Sequence, residues 1–131
     1  MSDFRKPEVW KKAHALAIDA SRIAQGIRGA HYSSLRSQII RAALSIPANI
    51  VEGREQQSER DFARFLRYSI GSASELESHL LVGRDMVVIS EPNFASLNQL
   101  QKVRKMLHGL LASLVPKPEK RIGLPANDLE R

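Results

Sequence analysis

The residues best equipped for chemistry crowd one stretch, "GSASELESHL", where Glu75, Glu77 and His79 follow at intervals of two. Glu75 and His79 stand four apart, so on a helix they share a face, as a metal or proton-transfer pair would. A metal site in a helical bundle draws a Glu-x-x-His motif from each of two helices, plus further carboxylates. His14, His31 and His108 fall in no such motif. Glu75 and Glu77 are two apart and point about 200° from one another on a helix, so they cannot act as paired acid and base. No nucleophile elbow, phosphate loop or histidine-centred triad occurs in the sequence. The chain therefore reads as non-enzymatic, with no metal and no cofactor expected.

Cationic side chains are the other chemical resource. Arg60, Arg64 and Arg67 lie at i, i+4 and i+7; Lys102 and Lys105 share a helix face; Lys11 and Lys12 open the first helical segment. The formal charge is +6, from 20 Lys+Arg against 14 Asp+Glu. Such a balance favours acidic partners through long-range attraction and says nothing about fold. RNA or DNA is the expected partner class, held at its phosphates. Only Trp10, Tyr32 and Tyr68 offer amphipathic rings, so base stacking is not expected as the main mode. A reader of shape and charge in structured RNA or duplex fits better.

The elements that must carry these groups are helices. Val9, Trp10, Ala13, Leu16, Ala17, Ala20, Ile23, Ala24 and Ile27 repeat at helical spacing from about Pro7 to Ile27. A second segment opens near Ser33 or Ser34, carries Leu35, Ile39, Ile40, Ala43, Leu44, Ile46, Ile50 and Val51, and meets a plausible terminator at Gly53. Ser58 reads as an N-cap with Asp61 three residues on. The third segment runs from about Glu59 to Val87, with "DMVVIS" taken as its end, and Gly71 and Gly83 as close-packing points. Ser90 starts a fourth segment whose Phe94, Leu97, Leu100, Val103, Leu107, Leu110 and Leu114, close to a seven-residue repeat, suit a narrow seam. Four helices without strands predict an all-α, antiparallel up-down-up-down four-helix bundle over residues 1–115, followed by a flexible tail over 116–131.

Two features go beyond a plain bundle. Apolar residues cover roughly half the circumference of helix two, wider than the stripe of about 100° that one core needs. Helix three is similarly wide, so self-association is expected. A polar seam also crosses these helices: Arg41, Asn49 and Glu52 on the second, Glu75 and Glu77 on the third. About a turn near residue 56, Arg41 comes level with Ser72–Glu75, and Glu52 with Arg60 and Arg64. An arginine fork holds a carboxylate with two parallel bonds, so the seam reads as register-fixing pairs.

No cysteine is present, which fits a reducing cytoplasm. "MSDFRKPEVWKKA" lacks a signal-peptide core, and no apolar run approaches the roughly 20 residues that span a bilayer. The chain is expected to be cytoplasmic, with no membrane partner.

"VWKKAHALA", "SQIIRAALSIPANIVEG" and "FARFLRYSIGSASELESHL" together resemble the four-helix bundle family encoded in intervening sequences of 23S ribosomal RNA genes. The resemblance covers about residues 4–114. Its signature falls on Arg41, Ala42, Ile46, Pro47, Asn49, Glu52 and Gly53, then on Gly71, Ser72, Glu75 and Glu77. That family is similar to the accessory variability proteins of diversity-generating retroelements. The resemblance implies an up-down bundle, a ring-like homopentamer and a role with RNA. The alternative is a protein–protein adaptor or accessory scaffold, for example for a reverse transcriptase, without direct nucleic-acid binding.

Overall fold

A computed structural model describes residues 7–94 and 97–115. Four long helices make up most of it: α1 (Glu8–Gln25), α2 (Ser33–Arg54), α3 (Glu59–Asp85) and α5 (Leu97–Leu114). A 3-10 turn at Ala30–Tyr32 precedes α2, and a short helix α4 spans Glu91–Phe94. Among the described residues there is no strand, and no helix is long and apolar enough to cross a membrane. The expected tail, 116–131, lies outside the described residues, as do positions 95 and 96 of the fourth segment.

The core is one cluster fed by all four long helices. Helix α1 contributes Ala13, Leu16 and Ala20; α2 gives Ile39, Ile46 and Ile50; α3 gives Leu66, Ala73 and Leu76; α5 gives Leu100, Val103 and Leu107. Each set keeps the three-and-four spacing that lays side chains along one helix face. Pro7 is the N-cap of α1, one position ahead of the expected first turn, and its carbonyl accepts from Trp10 and Lys11. Gly29, at φ 108°, reverses the chain after α1. Arg36 then ties that reversal to α2 by donating to the carbonyls of Ile27 (2.9 Å) and Gly29 (2.8 Å).

Helices α2 and α3 fold back on each other around a turn capped by Ser58, whose hydroxyl accepts from the Asp61 amide at 3.1 Å. The contacts between them fix one register. Gly53 meets Phe62, Ser69 reaches Ile46 and Arg41 reaches Glu75. Ser69 is fully buried, and its hydroxyl donates to the Ile46 carbonyl at 2.8 Å. That bond offsets the cost of hiding a hydroxyl in an apolar core. Helix α2 runs unbroken through Pro47. Around it, Ser45 Oγ donates to the Arg41 carbonyl and Asn49 Nδ2 to the Ser45 carbonyl, both at 2.8 Å.

Three glycine and loop expectations are corrected. Gly53 does not terminate α2 but lies inside it, buried, where an added Cβ would sit 2.7 Å from Phe62 Cδ1 and 3.0 Å from Phe65 Cβ. Gly71 is exposed with open space around it, so it is no packing point, whereas the side chain of Ile89 fills the space beside Gly83. The "DMVVIS" stretch is not helical to Val87. Helix α3 stops at Asp85; Val87 donates to the Arg84 carbonyl and Val88 to the Gly83 carbonyl, each at 2.9 Å. This double-bonded helix stop ordinarily takes glycine at its left-handed position. Here Val87 occupies it, at φ 60° and 86% exposed.

The two glycines of the α2–α3 pair should behave oppositely. Gly53→Ala forces a methyl into the phenylalanines and lowers stability by about 1–3 kcal/mol. Gly71→Ala, in open space mid-helix, raises it by about 0.5–1 kcal/mol. Urea unfolding midpoints at one protein concentration check both, and equal effects would contradict the packing described.

Candidate nucleic-acid interface

Because Ala63, Leu66, Ser69 and Ala73 turn α3 inward, the residues at 60, 64 and 67 must face out. The structure brings all three arginines to one place. Arg60, Arg64 and Arg67 line a shallow depression of about 500 Å³ together with Ser58 and Asp61. Arg60 and Arg67, with Glu59, also border an adjoining hollow whose apolar side is made by Ala63, Leu114 and Val115. Among the described residues neither Arg60 nor Arg67 has an ion pair. Arg64 is partly engaged: Asp61 Oδ1 is 3.8 Å away, and the guanidinium sits 5.2 Å from the centroid of Phe65. Phe65 in turn meets Tyr68 edge-to-face at 5.6 Å.

The other basic sets lie elsewhere. Lys102 and Lys105 line a depression on α5 with Asn98 and Gln101. Lys11 and Lys12 are exposed on α1. Arg104, between the α5 lysines in sequence, turns the opposite way. Its Nη2 lies 3.1 Å from Glu77 Oε2 and its Nη1 3.3 Å from Glu77 Oε1, a forked pair joining α5 to α3.

The polar seam thus divides between two helix interfaces. Arg41 bonds Glu75 across α2 and α3 and also holds Gln38 at 2.9 and 3.1 Å. Glu75 Oε1 lies 3.4 Å from His79 Nε2. Asn49 stays on its own helix, bonded to the Ser45 carbonyl. Glu52 departs from expectation: it is exposed and pairs with neither Arg60 nor Arg64 among the described residues. Arg64 is instead taken by Asp61 in the first turn of its own helix. Sequence reasoning missed Arg104 as the counter-charge of Glu77. The available signal was its place beside Leu100 and Leu107, at i+4 and i−3, on the buried side of α5.

Burial first, and then the positive charge of Arg41, holds the His79 imidazole below its ordinary value of 6.5. Chemically, the seam offers carboxylates already engaged by guanidinium groups, whereas the α3 row offers cations facing water. Among the described residues no three acidic or histidine side chains converge as a metal centre requires. Among the described residues the outward row is the densest set of water-facing arginines that the structure brings to one depression.

Comparison with known proteins gives a consistent kinship. A family model described as 23S rRNA-intervening sequence protein matches residues 5–109. The crystal structure of a protein from Bacteroides thetaiotaomicron, described as of unknown function and from the S23 ribosomal protein family, is similar at a TM-score of 0.73. The two chains are 25% identical, over 79% of this chain and 97% of that one. No curated protein matches the sequence.

The seam makes a prediction about pH. A histidine whose folded pKa is depressed lets the unfolded chain take up its proton first. The His79 contribution to stability is therefore full above about 6.5 and declines as pH falls toward the folded value. In an NMR titration His79 should titrate below 6.5, and Arg41→Gln should move it upward by removing the neighbouring charge. A wild-type His79 titrating at or above 6.5 would contradict the geometry.

Proposed function

The chain belongs to the 23S rRNA-intervening sequence protein family, and from that premise we propose a non-enzymatic, self-associating bundle that binds RNA or other nucleic acid through basic helix faces. In this reading the four helices run up, down, up and down. Copies assemble into a ring-like homopentamer, and the working compartment is the cytoplasm. The observation that carries the reading is the α3 row: three arginines line one depression, two of them without a counter-ion among the described residues. Neighbouring cations of which two lack an ion pair among the described residues are suited to replace the counterions of a phosphate backbone.

Self-association is supported by a second apolar stripe on α2. Ile40, Leu44, Pro47 and Val51 follow at i, i+4, i+7 and i+11, offset from the buried line through Ile39, Ile46 and Ile50. Leu44 remains 53% exposed, and the other three are half-buried. A symmetric assembly would cover such a stripe and repeat the arginine row once per copy. Lys102, Lys105, Lys11 and Lys12 would add to the attraction at longer range.

A salt series with a structured RNA tests the function. Three phosphates neutralised per subunit, with release of their counterions, predict affinity falling about 20- to 40-fold between 50 and 200 mM salt. Replacing Arg60, Arg64 and Arg67 together by Glu should abolish binding, while substituting Lys11 and Lys12 should weaken it modestly. Absence of binding at low salt, or full binding by the triple variant, would overturn the reading.

A further inference from the structure

Tyr68 is the part of this face that a simple phosphate contact leaves unexplained. It stands four residues after Arg64 and directly after Arg67, and it is 51% exposed. Positions i and i+4 are surface neighbours on a helix, so the ring borders the arginine row. The ring is also held. Phe65 meets it edge-to-face, with ring planes 87° apart, and Phe65 itself lies against the Arg64 guanidinium. Arg64, Phe65 and Tyr68 therefore form one connected set, anchored by a half-buried ring and ending in an open one.

Length and chemistry together select a ligand. At 1.5 Å rise per residue, Arg60 to Tyr68 spans about 12 Å along the helix. That is the scale of a few nucleotides, not of an extended duplex groove. In a duplex the base faces are stacked on each other, so an exposed tyrosine on a helix side has only phosphates and sugars to meet. An unpaired base presents a free π-face to an aromatic ring. We propose that the Arg60–Tyr68 face of α3 binds unpaired nucleotides, the arginines holding consecutive phosphates of a single-stranded segment while Tyr68 stacks on one of its bases. The inference rests on the nucleic-acid reading above and narrows its ligand. It also revises the expectation from ring counting, because one of the few amphipathic rings sits on the cationic row.

The test uses the full-length protein and two RNAs of equal charge, one single-stranded with a 2-aminopurine at its centre and one fully paired. Fluorescence anisotropy should show tighter binding of the single strand, with 2-aminopurine emission quenched on binding. Tyr68→Ala should weaken the single strand by about fivefold or more, the lower bound of a lost base–aromatic stack, and abolish quenching. Its effect on the duplex should be small. Tyr68→Leu keeps an apolar contact for Phe65 but cannot stack, and should behave as Tyr68→Ala, whereas Tyr68→Phe should retain both affinity and quenching. Full binding and quenching by Tyr68→Ala would overturn the inference while leaving the arginine row in place. An equal loss of duplex and single strand, or a change of assembly size in Tyr68→Leu, would also overturn it by making Tyr68 a packing residue. Failure of wild-type protein to bind either RNA at low salt removes the broader reading, and this one with it.

Discussion

Helix α2 carries apolar side chains beyond its buried line, and its packing against α3 fixes which of them face the interior. Ile39, Ala42, Ala43, Ile46 and Ile50 are fully buried, forming the line shared with the other helices. Close approach of α3 at Gly53, where Phe62 and Phe65 lie against the glycine backbone, consumes the end of that line. Leu44 is then left exposed on the outer side, with Pro47 and Val51 half-buried beside it, while Ile40 packs against the core. A proline at 47 has no amide to donate to the Ala43 carbonyl one turn back, yet α2 continues through it. Short polar side chains add bonds on either side: Ser45 donates to the Arg41 carbonyl, Asn49 to the Ser45 carbonyl and Ser69 of α3 to the Ile46 carbonyl.

Once this register is set, the arginines sort into two kinds. Arg36, Arg41 and Arg104 are used internally, for a loop, for Glu75 and for Glu77. The Arg104–Glu77 fork is about one-quarter exposed on each side, so water screens it less than the half-exposed Arg41–Glu75 pair. The forked pair between α3 and α5 is therefore the stronger structural tie. Arg60 and Arg67 have no such employment among the described residues and face water on the first half of α3. On α3 the water-facing arginines lie in the first half, and the carboxylates that tie it to α2 and α5 lie in the second.

Much of the fold was legible because helical periodicity and capping are local. The bounds of α1, α2 and α3 follow the apolar spacing within a few residues, and Ser58 caps α3 through Asp61 as its spacing implied. Pairing of Arg41 with Glu75 was also readable, since a short turn fixes which positions come level. What escaped depends on third parties. Gly53 looked like a terminator because its role is set by Phe62 across the turn. Glu52 lost its expected partner to Asp61, which sits closer to Arg64 on the same helix. Glu77 found Arg104 on a helix whose register to α3 no local pattern encodes. The turn after α3 was hidden because valine, not glycine, adopts its left-handed position. The i+4 spacing of Tyr68 from Arg64 was readable, but its exposure and its edge-to-face contact with Phe65 were not.

Docking of copies through the Leu44 side of α2 is read out by sedimentation velocity at micromolar concentration. Self-association gives a particle several times the 14.7 kDa of a single chain, reduced to that mass by Leu44→Glu. A compact 14.7 kDa particle for the wild-type protein, with Leu44 open to solvent, would contradict it.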